Sequence, residues 1–153
     1  MFSVRPSTSN DIGPLFEIWH AAVRSTHGFL TEADIDVYAR YVREEYLPGT
    51  EFLVAVDGSG KPIGFMGVTG QKIDALFVDP AWHKKGVGRT LVASLLEKAD
   101  GLTVDVNEQN HGARRFYASL GFHELGRSES DGSGRPFPLI HLAHGHIPPE
   151  RNA

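Results

Sequence analysis

Leu76-Phe77-Val78-Asp79-Pro80-Ala81-Trp82-His83-Lys84-Lys85-Gly86-Val87-Gly88-Arg89-Thr90-Leu91-Val92 is the stretch that decides the fold. An apolar, strand-forming run passes through a basic loop with two glycines and straight into an amphipathic segment. Val87, Leu91 and Leu95, with Val92 and Leu96 beside them, recur at i, i+4 and i+8, the stripe of a helix laid on a sheet. Such a strand–loop–helix aims backbone N–H groups, a helix N-terminus and cationic side chains at one point, which suits a pyrophosphate. Gly86 and Gly88 let the backbone approach phosphates with no Cβ in the way.

Two common phosphate loops are excluded. The chain has no G-x-x-x-x-G-K-[ST] run, and it lacks a G-x-G-x-x-G opening a first βαβ unit. A second motif lies downstream. Leu102 to Asn107 reads as a short strand from its β-branched content. Asn110 to Phe122 follows, with Ala113, Phe116, Tyr117 and Leu120 at i, i+3, i+4 and i+7, a helix that Gly121 is placed to stop. Of the adjacent aromatic pair, Phe116 is the better core candidate.

Composition narrows the function further. At 153 residues the chain can bury one sizeable core but not two ordinary ones. A net charge of −4 argues against a general nucleic-acid binder. No apolar run reaches membrane-spanning length and the N-terminus lacks a signal-peptide core, so a cytoplasmic protein is expected. With no cysteine, disulfides, thiolate metal sites and an acyl-cysteine intermediate are all impossible.

Periodicity and turn signals place the remaining elements. Phe2 to Arg5 reads as a strand and Asp11 to Arg24 as a helix with Pro14 in its first turn. A second helix follows Thr31, with Asp34 in a capping-box position, and extends toward Tyr46, where Pro48 is expected to stop it. Strands are predicted at Phe52 to Val56, Ile63 to Thr69 and Lys72 to Val78, the first two joined by the turn Asp57-Gly58-Ser59-Gly60. Phe122 to Ser128 and Pro136 to Leu142 make a closing pair. The expected domain is 1–143, with 144–153 a poorly ordered tail.

His83-Lys84-Lys85-Gly86-Val87-Gly88 resembles the [Q/R]-x-x-G-x-[G/A] loop of the GNAT N-acetyltransferases, with His83 in place of Gln or Arg. N-x-x-A-x-x-F-Y-x-x-x-G-F, running from Asn110 to Phe122, is similar to the second half of that family's cofactor site. Trp19 to Leu30, Asp74 to Pro80, Val106 to Asn110 and Gly134 to Leu139 extend the likeness over nearly the whole chain, to the small bacterial acetyltransferases of the YjaB type. The resemblance implies an α+β GNAT fold, a mixed, mostly antiparallel sheet of about seven strands flanked by about four helices. It implies acetyl-CoA as co-substrate, no metal, and a primary amine as acceptor, in that subgroup a protein lysine. A small amine (amino acid, polyamine or antibiotic) and a non-catalytic acyl-CoA sensor are the other readings. Dimers are frequent in the family, so the chain is expected to be a monomer or homodimer.

The resemblance also assigns residues. Lys84, Lys85, Gly86, Val87, Gly88, Arg89 and Thr90, with His83, would cradle the pyrophosphate, although both lysines also suit a solvated surface. The strand Leu76, Phe77, Val78 would splay from its neighbour and bind pantetheine through its backbone, Val78 or else Leu76 giving the N–H for the thioester oxyanion. Asn107, Asn110, Ala113, Phe116 and Tyr117 complete the cofactor set, with Asn110 equally suited to cap a helix. Tyr117 matches the acid that protonates the leaving thiolate. Asp74 is the first candidate for general base, with Glu108, His27 and a water chain as alternatives. Trp19, Thr26, His27 and Phe29 would line the acceptor pocket, with ordinary packing the alternative for each and most of all for Trp19. His141, His144 and His146 are spaced H-x-x-H-x-H, but no acidic residue lies within the run to complete a metal site.

Overall fold

The computed structural model describes residues 2–26, 28, 30–131, 134 and 136–145, the Thr26 side chain excepted. Its elements are β1 (Phe2–Pro6), α1 (Ile12–Thr26), α2 (Glu32–Tyr41), β2 (Leu53–Asp57), β3 (Pro62–Thr69), β4 (Lys72–Val78), α3 (Val87–Leu96), β5 (Gly101–Asn107), α4 (His111–Ser119), β6 (His123–Ser128) and β7 (Leu139–Gly145). The strands hydrogen-bond in the order β1-β2-β3-β4-β5-β7-β6. β4 and β5 run parallel and are paired at two positions, Lys72 with Thr103 and Ile73 with Val104. β1–β2, β2–β3, β5–β7 and β6–β7 are antiparallel, so the sheet is mixed and mostly antiparallel, as expected. No helix among the described residues is long and apolar enough to cross a membrane.

The chain divides into two compact units, 1–68 with 75–94 and 69–74 with 95–153. In the first, α1 and α2 bury Leu15, Phe16, Ile18, Trp19, Val23 and Ile35 against Phe52, Val54, Val56, Phe65 and Ala75. Each large side chain so buried contributes about 1.5–3 kcal/mol. Thr31 caps α2 as its spacing predicts: its hydroxyl accepts from the Asp34 N–H, and the Asp34 carboxylate accepts from the Thr31 N–H.

The end of the second helical segment differs from expectation. Pro48 does not end the helical path, because a π-turn over Val42–Tyr46 intervenes. The wider i→i+5 turn restarts the register, and Pro48 then falls in the first turn of Leu47–Gly49, where its missing N–H costs nothing.

Asp11 is the most deeply buried charge of the first unit, 4% exposed. Arg5 donates to both its carboxylate oxygens, at 2.8 and 3.0 Å, and the Thr8 N–H donates to one of them. The Arg5 guanidinium holds the carboxyl below its ordinary range, outweighing the opposing effect of burial. A depressed folded pKa stabilises the fold above the unfolded-state pKa and is lost as pH falls through the folded value. Asp11→Asn should therefore destabilise the protein by about 1–3 kcal/mol near neutral pH. Urea titrations of both proteins should show the gap narrowing as pH falls below the ordinary carboxylate range and the native carboxyl also takes up its proton.

In the second unit, β5, β7 and β6 form an antiparallel array with α4 beside them. β7 begins at Leu139, three residues later than expected, and runs to Gly145, so His144 and Gly145 belong to a strand and not to a tail. Their pairing with Leu102 and Gly101 is what holds them there. Residues 146–153 lie outside the described residues.

Candidate active site

Two groups of residues carry the candidate chemistry, one in each unit. The first is the end of β4, the loop after it and the start of α3. Asp79 caps a short turn over Pro80–Trp82 by accepting from the Ala81 N–H at 2.9 Å. Lys84 and Gly86 then take φ of +63° and +87°. A left-handed backbone is inexpensive for Gly86 and costs a lysine on the order of 1–2 kcal/mol. The turn ends at α3, whose first intrahelical bond runs from the Thr90 N–H to the Gly86 carbonyl at 3.0 Å. The N–H groups of Val87 and Gly88 precede that bond and have no carbonyl a turn earlier to receive them. Val87, Leu91 and Val92 are fully buried and fix this end of the helix, while Gly86, Arg89 and Thr90 face solvent.

His83 has a structural assignment that its sequence position does not reveal. Its Nε2 lies 3.0 Å from the Val78 carbonyl, so Nε2 carries the proton and donates. The next N–H, of Asp79, donates to the Ile63 carbonyl at 2.8 Å. The last peptide of β4 is thus held at both ends, and the imidazole ties the loop to the strand that precedes it. His83→Ala should weaken acetyl-CoA binding about three- to tenfold, the worth of one such hydrogen bond. His83→Gln, whose amide can donate to the same carbonyl, should restore most of the loss in a calorimetric titration. Lys85 is directed differently: its Nζ lies 5.3 Å from the centre of the Trp82 ring, which itself packs edge-on against Phe2. Lys84 is exposed. Leu76, Phe77 and Val78 are half-buried, with the Phe77 ring against Phe65.

The second group centres on the end of β5 and on α4. Asn110 caps α4, its side-chain oxygen accepting from the Ala113 N–H at 3.0 Å. Asn107, at the last position of β5, has a buried side-chain oxygen with no hydrogen-bond partner. A buried acceptor left unpaired costs about 1–3 kcal/mol, a penalty that an amide donor from a ligand would remove. An amide such as those of a pantetheine arm would suit Asn107 in the second unit, and the turned, N–H-rich loop at α3 in the first unit suits a pyrophosphate.

Tyr117 is 4% exposed, and Phe116 beside it is only half-buried, the reverse of the expected ranking. The cause is the helix stop. Gly121, at φ +94°, donates to the Ala118 carbonyl, and the Phe122 N–H donates to the Tyr117 carbonyl, the two bonds of a Schellman ending. That ending folds Phe122 back onto Tyr117, with ring centroids 5.1 Å apart. Burial pushes the Tyr117 phenol above its ordinary pKa, so it holds its proton more tightly than a phenol in water.

The other candidates separate. Asp74 is exposed, and its carboxylate accepts a hydrogen bond from the Thr69 hydroxyl. Glu108 is bound through both oxygens by Arg127, which holds its carboxyl below the ordinary range and makes it a poor proton acceptor. Trp19 is 6% exposed and packs against Phe16 and His20 in the core of the first unit. His27, Phe29 and the Thr26 side chain lie outside the described residues. Of the C-terminal histidines, His144 packs against Phe122, His141 pairs with Asp105, and His146 lies outside the described residues. Among the described residues no cluster could hold a metal ion.

Comparison with known proteins adds the family. The acetyltransferase (GNAT) domain model matches residues 26–137. The chain is 41% identical over 147 residues to the peptidyl-lysine N-acetyltransferase YjaB of Salmonella typhimurium, covering 94% of this chain and 99% of that protein. It is 42% identical over 144 residues to the YjaB of Escherichia coli K12, covering 94% and 97%. The solution structure of apo YjaB from Escherichia coli superposes with a TM-score of 0.88 at 43% identity, over 94% of this chain and 97% of that one. With the fold, the loop and the sequence in agreement, the chain belongs to the GNAT family of acetyltransferases.

Proposed function

We propose that this acetyltransferase moves the acetyl group of acetyl-CoA to the side-chain amine of a protein lysine, by direct attack while both substrates are bound. The observation that carries the acceptor is the near end-to-end similarity to two proteins named peptidyl-lysine N-acetyltransferases. The observation that carries the co-substrate is the loop turned at Lys84 and Gly86 into the start of α3, together with the unpaired oxygen of Asn107.

Roles follow from what the reaction must supply. The N–H groups of Val87 and Gly88 hold the pyrophosphate, and Asn107 accepts from a pantetheine amide. The Val78 N–H donates to the oxygen that gains charge as the thioester carbonyl is attacked, from a strand end that His83 keeps in place. A lysine ammonium has a pKa of about 10.4 and no lone pair, so it must lose a proton before attacking. Asp74, exposed and oriented by Thr69, is the proposed acceptor of that proton. Coenzyme A leaves as a thiolate, which Tyr117 protonates; the burial that holds its proton in the resting enzyme keeps the donor loaded.

The reading is tested by titrating acetyl-CoA calorimetrically, then following thiol release with lysine peptides, the same peptides blocked at the side chain, and small amines. Binding, with turnover confined to free-lysine peptides, is expected. No binding would overturn the co-substrate, and equal turnover of small amines would overturn the acceptor.

A further inference from the structure

Four side chains form a row on one face of the second unit that the acetyltransferase reading does not use. The Lys72 ammonium lies 2.8 Å from one oxygen of Asp105. The other Asp105 oxygen is 2.6 Å from His141 Nδ1, and His141 Nε2 is 2.6 Å from the Ser128 hydroxyl. The row crosses adjacent strands β4, β5, β7 and β6. Lys72 and His141 hold the Asp105 carboxyl below its ordinary range against the pull of burial, so it is a carboxylate. A carboxylate accepts only, which places the neutral imidazole's proton on Nδ1 and leaves the Nε2 lone pair facing the serine O–H. Hydroxyl, imidazole and carboxylate then stand in the order nucleophile, base and orienting group.

The backbone shows how the serine came to this face. Asp105 and His141 are directly opposite each other in the β5–β7 register. In the β6–β7 register His123 faces Ala143 and Glu124 faces Leu142, but Gly126, not Leu125, faces His141. Leu125 is thus an extra, exposed residue at a β-bulge. Side chains alternate along a strand, so one inserted residue exchanges the faces of everything beyond it. Without the bulge Ser128 would point away from His141. Gly126, directly opposite the imidazole, sets no side chain over it, and Ser128 and His141 are both partly open to solvent.

We propose that Ser128, His141 and Asp105 form a second chemical site, in which Ser128 Oγ captures acyl groups from small activated acyl esters or thioesters. Ser128 Oγ forms a bond to the acyl carbon, and the bond from that carbon to the leaving oxygen or sulfur breaks. The serine proton passes to His141 Nε2 and from there to the leaving group. Asp105 keeps the imidazole in the tautomer that can take the proton, and water then hydrolyses the serine ester to the free acid.

p-Nitrophenyl acetate is the probe. Intact protein exposed to it should release nitrophenolate and gain one acetyl group, which peptide mass spectrometry places on Ser128 and hydroxylamine removes, as it removes esters but not lysine amides. Ser128→Ala should abolish that adduct, and His141→Gln should slow its formation about 100-fold, the usual worth of a general base. Circular dichroism establishes that each variant is folded, and should Ser128→Ala not fold, Ser128→Cys decides, with an adduct required at position 128. Acetylation only on lysines or on His141, or an unchanged rate in His141→Gln, overturns the proposal. Because the assay involves neither coenzyme A nor an amine, failure of the lysine-acetylation reading would leave its result unaffected.

Discussion

Tyr117→Phe is expected to lower kcat for acetyl transfer about 100-fold while leaving the affinity for acetyl-CoA unchanged. The substitution removes one hydroxyl and keeps the ring. The ring is what packs: it meets Phe116 and Phe122 edge-on at centroid distances of 5.0 and 5.1 Å. Those contacts survive in phenylalanine, so the thermal midpoint should barely move. Without the phenol, the departing thiolate must wait for a proton from water. A model thiol has a pKa of about 8.5 and an ordinary phenol about 10; burial holds Tyr117 above that, so it stays protonated near neutrality but yields its proton less readily than a free phenol. Tyr117→Ala, by contrast, empties a core position and should cost about 3–5 kcal/mol of stability, confounding the kinetics. If Tyr117 served only packing, Tyr117→Phe would leave kcat untouched. A parallel measurement of kcat and of acetyl-CoA affinity therefore separates the two roles.

The same residue shows which parts of the molecule can be read from sequence. Helical spacing brings Phe116 and Tyr117 to one side of α4, but which is deeper depends on the chain's path after Gly121 and on Phe122 folding back. Elements whose determinants lie within a few residues were legible: the strand–loop–α3 passage, the Thr31 cap and the Asn110 cap all sit where their residue types predict. Elements set by a partner far away were not. The end of β7 is fixed by pairing with Gly101 and Leu102, some forty positions earlier, and nothing near His144 announces it. His141 lacks an acidic neighbour in sequence and acquires one, Asp105, across a ladder. The Ser128 contact depends on a one-residue bulge, which no hydrophobic pattern marks because β6 is largely exposed on both faces. Pro48 departs from expectation for the opposite reason: its own rule is local, but the π-turn ahead of it changes the register.

Gly64 belongs with the features that only long-range packing reveals, and it leads to a prediction about how the loop is held. A Cβ at this position would lie 3.0 Å from Val87 Cγ1 and 3.2 Å from the Phe77 carbonyl oxygen. β3 therefore approaches the first residue of α3 as closely as a bare backbone allows. Gly64→Ala should cost about 1–3 kcal/mol of stability, as overpacking does. It should also weaken acetyl-CoA binding by roughly tenfold, because the residue that must yield is the one that opens the helix and positions its first N–H groups. Val87→Ala alone loses buried methyl groups and should cost about 1–3 kcal/mol. In the double variant the new Cβ occupies part of the space that Val87 Cγ1 vacates, so the two costs should not add. A coupling of at least about 0.5 kcal/mol in the compensating direction is expected from denaturant titrations of the four proteins. Affinity should recover less fully than stability, because the Phe77 carbonyl still faces the added methyl and keeps this end of β4 displaced. Strict additivity in the cycle would mean that Gly64 and Val87 do not share this contact and that α3 is positioned by its buried stripe alone.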